Sequence, residues 1–415
     1  MDASGPCVVK NAEIGSPWSY ACRDDPSKDA QVKVAVLVPG GVDRSGAERV
    51  IPAIVWLLER LARRHEVHVF AFNQQPEPAE WDLHGARVHN VGTVPGWRRR
   101  LFRSFATEHR ISPFQTIHGV FGWGGTYGAV LGWRHGIPVL FHPTGGEFIG
   151  VEDIAYGMQT TLRSRLQLRL ALAGASRVSV GTEYMKRSAS GIGVSAHVVP
   201  FGVALDRWLP SSPRPRDLSS PAILLHVGDI RPVKDQRTLL AAASRLRRAG
   251  VAFELHMAGV DTMNGALQHS ADALALDNAL HWHGVLGRDA LHALMIRADV
   301  LLVSSRHEAE PVVVLEAAVA GVPTVGTAVG HIADWAPHAA VAVPVGDASA
   351  FALETAALLA DEPRRLALAH EAQRRALAID ADYTAAAFER LYQEMVSAHA
   401  MRARPPRPAP SSRAP

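Results

Sequence analysis

The chain alternates short apolar runs with longer stretches in which apolar residues recur every three or four positions. The runs read as strands buried on both faces, and the stretches as helices packed against them. Val32–Val38 is such a run and ends at Pro39-Gly40-Gly41. Ala47–Arg63 follows with helical spacing, and Val67–Phe72 is the next strand. Gln115–Val120 and Pro138–Phe141 predict further strands, the second introduced by a Gly-Ile-Pro turn. Arg163–Ala173 is a helix former, with a strand at Arg177–Val180 behind it.

A second series begins after Ser211-Ser-Pro-Arg-Pro-Arg, which reads as an exposed linker. Strands are expected at Ile223–Val227, Phe253–Ala258, Leu280–His283, Val300–Val303 and Thr324–Thr327. Helices are expected at Arg237–Arg248, Ala290–Arg297 and Val312–Ala320. Strands alternating with helices argue for α/β domains with parallel sheets. The expected organisation is an N-terminal extension (1–30), one α/β domain (31–205) and a second (206–382). A helix (383–400) with the apolar face Phe388, Leu391, Tyr392 and Met395 follows, then a Pro- and Arg-rich tail (401–415) expected to be disordered.

Composition changes this picture little. A chain of 415 residues is long enough for two buried cores. The net charge of +3 says little about partners, and neither a nucleic-acid module signature nor a sustained basic stripe is present. Cys7 and Cys22 are the only cysteines, so neither a disulfide framework nor a cysteine metal site is expected. No apolar run reaches the length of a membrane span, and the first residues lack the build of a signal peptide, so the expected location is cytoplasmic. The arginines 98, 99, 100 and 103 interleave with Trp97, Leu101, Phe102 and Phe105. Trp97–Phe105 is therefore either a solvated helix packing its apolar side inward or a peripheral contact with an anionic membrane face.

The most informative stretch is Ser304–Gly321, which reads as a loop followed by a helix after the strand Val300–Val303. It places Glu308 in the loop and Glu316 inside the helix, with Pro311 in the first turn and Gly321 at the stop. In open parallel sheets, ligands bind outside the carboxyl ends of the strands, where carboxylates can accept hydrogen bonds from sugar hydroxyls. Glu316 is the more telling, because Val314, Leu315, Ala317 and Val319 around it are apolar. Gly228-Asp229-Ile230-Arg231-Pro-Val-Lys234 follows the first strand of the second series. A cation and a helix N-terminus there would both favour a diphosphate. The turn Pro39–Arg49 is neither a Walker loop nor G-x-G-x-x-G. His307-Glu308-Ala-Glu-Pro311 is not H-E-x-x-H, and His281 with His283 finds no evident third metal ligand, so no metal is expected.

Together these stretches resemble the retaining GT-B glycosyltransferases of family 4. Ser304–Gly321 resembles the Glu-x7-Glu signature, whose first glutamate (here Glu308) meets the transferred sugar and whose second (Glu316) meets the nucleotide ribose. Gly228–Lys234 resembles the G-R-x-x-x-x-K motif that holds the diphosphate. Lys234 matches, Asp229 stands where the family has arginine, and Arg231 is the substitute. Gly40-Gly41…Gly46-Ala-Glu-Arg49 resembles the opening G-G-x…G-A-E-R loop. Gly136–Phe148 resembles G-I-P-V-v-x-T-x-H-G-G-D, with Thr144 at the family histidine, His142 two residues earlier and Glu147 in the acidic place. Val199–Asp206 resembles the segment leading into the interdomain linker, and Gly326–His331 a small-residue loop near the sugar or phosphate.

The resemblance implies two Rossmann-like doubly wound domains facing across a cleft, with the last helix crossing back to the first domain. It implies a retaining transfer of a sugar from a nucleotide diphosphate-sugar to the hydroxyl of a glycan, lipid-linked or small-molecule acceptor, with no cofactor and no metal. Glu308, Lys234 and Arg231 are the implied catalytic residues. Glu316, Gly40, Gly41, Gly228, Pro311 and Val312 are implied in donor binding, and His142, Thr144 and Glu147 are candidates near the sugar or acceptor. The rival readings are a non-catalytic nucleotide-sugar-binding relative and a GT-B phosphorylase or epimerase.

Overall fold

The computed structural model describes residues 31–403. The expected extension, with Cys7 and Cys22, and the tail beyond residue 403 lie outside the described residues. Two sheets organise the rest. The first contains β1 (Lys33–Val38), β2 (Glu66–Ala71), β3 (Ala79–Leu83), β4 (Ala86–Asn90), β5 (Thr116–Val120), β6 (Val139–His142), β7 (Arg177–Val180) and β8 (His197–Val198). Its order is β3-β4-β2-β1-β5-β6-β7-β8, parallel except for the β3–β4 hairpin at one edge. The second contains β9 (Ala222–Val227), β10 (Phe253–Ala258), β11 (Leu280–Gly284), β12 (Val300–Val303), β13 (Thr324–Thr327) and β14 (Val341–Val343). Its order, β11-β10-β9-β12-β13-β14, is all parallel and is the 3-2-1-4-5-6 arrangement of a dinucleotide-type fold. Both lobes are Rossmann-like, with helices covering both faces of each sheet.

The buried strands appear where continuous apolar runs predict them; every residue of β1 and β12 is buried. Three departures have local causes. The first helix is Pro52–Ala62 rather than Ala47–Arg63, because residues 46–50 form a loop with positive φ at Gly46 and Arg49, and Pro52 presets the first turn. The β3–β4 hairpin was not expected; its turn, His84-Gly85, holds both residues at positive φ. Helix Phe121–His135 was not expected either, since it carries five glycines. Those glycines bring it close to the sheet: a Cβ on Gly125 would lie 2.5 Å from Phe141 Cε2.

Helix Trp97–Ile111 carries the basic, apolar stretch. Leu101 and Phe105 are fully buried, and Trp97 stacks on Phe72 at 5.7 Å. Arg98 donates to the Tyr127 hydroxyl at 3.0 Å, and Arg100 to the carbonyl of Val91 at 2.8 Å. Its apolar side packs inward, with Leu101 and Phe105 buried and Trp97 and Phe102 half-buried, while Arg98, Arg99 and Arg103 stay exposed.

One hydrophobic core runs through both lobes by way of Phe201, Val203 and Trp208 in the connecting segment. The last helix, Ala381–Ala403, lies against the first sheet. Its Tyr392 hydroxyl is 2.7 Å from His118 Nδ1 on β5, and Phe388 packs on His118, His142 and Phe201.

Candidate active site

Strand order reverses in the second sheet between β9 and β12, and the loops leaving these two neighbours open the same crevice. The loops are tied together: Ser304 Oγ donates to the Lys234 carbonyl at 2.8 Å, and Arg306 N to the Val233 carbonyl at 2.8 Å. This brings Lys234 Nζ to 2.6 Å from Glu308 Oε1, which also accepts from Ser305 Oγ at 2.6 Å. The lysine and the loop glutamate singled out in the sequence are therefore in direct contact, each partly exposed.

Glu316 sits one turn into helix Val312–Val319, whose N-cap is Pro311 and whose first turn has no side-chain cap. The Glu316 side chain is buried, and burial alone pushes its carboxyl up to about 7. A carboxylate kept out of water beside an uncapped helix start is a ready acceptor for a hydroxyl-bearing ligand, and the helix start favours an anion. The other helix expected to aim at phosphate, Gln236–Arg248, differs. Its N-terminus is taken by Asp235, whose carboxylate accepts from Thr238 Oγ1 at 2.7 Å. Asp229 turns away, accepting from Val260 N at 3.2 Å, while Arg231 is exposed. Beside Gly228 a cavity of about 70 Å³ is lined by Met257, Asp261, Gln268 and Trp282 among others. Gly40 and Gly41 lie in the loop after β1, closed by Ile51 N donating to the Gly41 carbonyl at 2.9 Å.

The acceptor-side candidates divide. His142 is fully buried, with Nδ1 2.8 Å from Ser179 Oγ, and burial pulls its imidazole down to about 3. It lies beneath the cleft rather than in it. Both Glu147 oxygens are taken by backbone, accepting from Gly122 N at 2.9 Å and Gly145 N at 2.7 Å. Glu147 therefore holds the Gly145-Gly146 loop against helix Phe121–His135 and does not present a free carboxylate. Thr144 Oγ1 is buried and has no hydrogen-bond partner among the described residues.

Four further residues meet here that were not singled out as site residues. Glu310 reaches from the second lobe into the first: it accepts from Phe201 N, and its other oxygen is 3.9 Å from His142 Nε2. His331 Nε2 approaches the same carboxylate at 4.0 Å. Burial pushes Glu310 up to about 7 against the opposing pull of His331 and the Phe201 N–H. His307 bridges the lobes, with Nε2 3.2 Å from the Gly145 carbonyl and Nδ1 3.3 Å from the Tyr184 hydroxyl. Tyr156 lies within electrostatic reach of Glu147, Glu308 and Arg231; burial and the two carboxylates push its phenol up to about 12. Glu310 and His331 look unremarkable in sequence because their partners come from distant segments.

Ion-binding geometry does occur elsewhere. The reading that His281 and His283 have no third ligand is corrected by the adjacent strand: Glu254 Oε2 is 3.8 Å from His281 Nε2, and His256 Nδ1 is 2.9 Å from His283 Nε2. Glu254, His256 and His281 are close enough to share a metal ion, as are His68, His89 and Glu108 in the first lobe. Both groups lie toward the outer strands of their sheets, away from Lys234 and Glu308.

This architecture has known counterparts. Residues 213–375 match the family described as glycosyl transferases group 1, and residues 48–202 match the glycosyl transferase 4-like domain. The glycogen synthase of Mycobacterium tuberculosis is 34% identical over 137 residues, which is 33% of this chain and 33% of that protein. The match thus spans about a third of that relative's length. Among solved structures, sucrose-phosphate synthase from Thermosynechococcus elongatus superposes with a TM-score of 0.75 at 19% identity, over 89% of this chain and 100% of that one. The Anabaena protein HepE, in complex with UDP-glucose, superposes with a TM-score of 0.69 at 16% identity, over 89% and 100% of the two chains. With one family match on each lobe and the two-lobed fold shared over 89% of this chain, the chain belongs to the GT-B glycosyltransferases of the family 4 type.

Proposed function

We propose that this enzyme moves a sugar from a nucleoside diphosphate-sugar to an acceptor hydroxyl with retention at the anomeric carbon. The observation that carries the reading is the meeting of Lys234 and Glu308 at the switch point of the second sheet, beside the uncapped start of helix Val312–Val319. In this reading Glu316 accepts hydrogen bonds from the ribose, and the cavity beside Gly228 and Trp282 receives part of the nucleoside. The diphosphate takes the Lys234 ammonium away from Glu308, with Arg231 and the first amides of the helix as further donors. Glu308, released, accepts from hydroxyls of the donor sugar.

The bond from the anomeric carbon to the phosphate oxygen breaks while the acceptor oxygen bonds the same carbon from the same face. The acceptor proton passes to the departing phosphate oxygen. Charge developing on that phosphate is met by Lys234 and the helix start, so the protein's own donors stabilise the transition state without a metal ion. A uridine diphosphate-sugar is the first donor to test, given the UDP-glucose complex of HepE.

A second reading, binding without transfer, draws on Asp229, which supplies no cation where a phosphate-binding arginine is expected. Thermal shifts with UDP-, GDP- and ADP-sugars test the donor site; ligand at about 100 times its dissociation constant adds about 2.7 kcal/mol. Release of nucleoside diphosphate only when an acceptor is present then identifies the transferase. Binding with no release across a broad acceptor panel identifies the binding protein.

A further inference from the structure

Helix Leu162–Gly174 is apolar on two opposite sides. Leu168 and Ala171 are buried, and Gly174 abuts Ala129 and Trp133, fixing the helix on helix Phe121–His135. On the outer side Leu162, Leu166 and Leu170 recur every four residues as one stripe, at 70%, 53% and 37% exposure. Trp133, beside the end of this helix, is 56% exposed. A helix covered by a core on one side has no folding reason to carry leucines on the other.

The charges along the helix are all of one sign. At 100° per residue, Arg165 and Arg169 flank it on one side and Arg163 on the other, with Arg134 and Arg177 close by in the chain. All five are exposed, and none forms an ion pair among the described residues. No acidic residue occurs between Asp153 and Glu183, nor anywhere in helix Phe121–His135.

From this juxtaposition we infer that the outer face of helix Leu162–Gly174, with Trp133, docks on the surface of an anionic lipid bilayer. The leucines enter the boundary between headgroups and acyl chains, the arginines reach lipid phosphates and the tryptophan ring lies at headgroup level. No helix among the described residues is long and apolar enough to cross a membrane, so this contact lies on the bilayer. A second copy of the chain is the poorer occupant, because a two-fold contact would set the same unpaired arginines against one another.

The test is co-sedimentation of the full chain with vesicles of phosphatidylcholine alone or mixed equally with phosphatidylglycerol. The expected result is binding to the mixed vesicles. The Leu166→Glu/Leu170→Glu variant should lower the partition coefficient at least roughly tenfold, and Arg163→Glu/Arg169→Glu should remove the preference for anionic lipid. Because these side chains are exposed, the melting temperature should not change, which separates lost docking from lost folding. Absence of binding to mixed vesicles, or variants that bind as the parent does, overturns the inference. So does light scattering that shows a dimer converted to monomer by the leucine variant while vesicles are ignored.

Discussion

Glu316→Gln separates the physical state of the buried carboxyl from its proposed role. Glutamine keeps the shape and the acceptor oxygen but cannot ionise. In the native protein the Glu316 carboxyl is displaced from its usual 4.5 to about 7 by burial alone. Between these values the folded chain holds a proton that the unfolded chain has released, so stability falls as pH rises through this window. The full cost, present above about pH 7, is about 3 kcal/mol at 1.36 kcal/mol per pH unit. Glu316→Gln escapes it. The variant should therefore melt higher than the parent at pH 8, on the order of 5 °C, and nearly with it at pH 5. Thermal denaturation of the ligand-free proteins at both pH values measures the difference. Calorimetry with UDP at pH 8 measures the other half, a loss of about 1.5–3 kcal/mol of affinity if the ionised carboxylate receives the ribose. A melting difference equal at both pH values, or a parent that is the more stable at pH 8, refutes the desolvation argument. An unchanged affinity refutes the ribose assignment alone.

Lys234→Ala should lower turnover on the order of a hundredfold, more than it raises the donor Michaelis constant, because the leaving diphosphate gains charge in the transition state. Arg231→Ala should lower turnover in the same way, with Asp229→Arg restoring part of the loss; steady-state kinetics on the single and double variants decide. Treatment with EDTA should leave most of the activity, and loss of activity restored by magnesium or manganese would overturn the metal-free reading. A Cβ at Gly181 would run into the Glu310 carboxylate, so Gly181→Ala should cost roughly 1–3 kcal/mol, with part recovered in Gly181→Ala/Glu310→Ala, as a denaturant double-mutant cycle would read.

The fold was legible where one rule decides. Strands buried on both faces need continuous apolar runs, and β1 from Val34 onward and β12 have them. Helix Phe121–His135 was not legible, because its glycines lower helix propensity and only the neighbouring strand shows why they are there. Nor was the β3–β4 hairpin, whose strands, Ala-Glu-Trp-Asp-Leu and Ala-Arg-Val-His-Asn, lack a continuous apolar run. In the candidate site, Lys234 and Glu308 could be found by motif because each follows a strand of the same sheet. Glu310, His331 and His307 could not, since their surroundings come from packing one lobe on the other. His142 was expected near the sugar or acceptor, but its depth below the cleft depends on Phe201 and Phe388, far away in sequence. The inward face of Trp97–Phe105 likewise depends on Phe72 and Tyr127.

Helix Ala381–Ala403 supplies Phe388 and Tyr392 to the first lobe, against His118 on β5 and His142 on β6. Chains are made from the N-terminus, and domains generally fold as they emerge. Here that order is broken. The first lobe emerges early with a slot over β5 and β6 that its own residues do not fill, and it waits while the second lobe is synthesised. A segment translated after the whole second lobe closes that slot, so the lobe translated first is completed only after the second, and a chain stopped near residue 380 would carry an unfinished first lobe behind a finished second one.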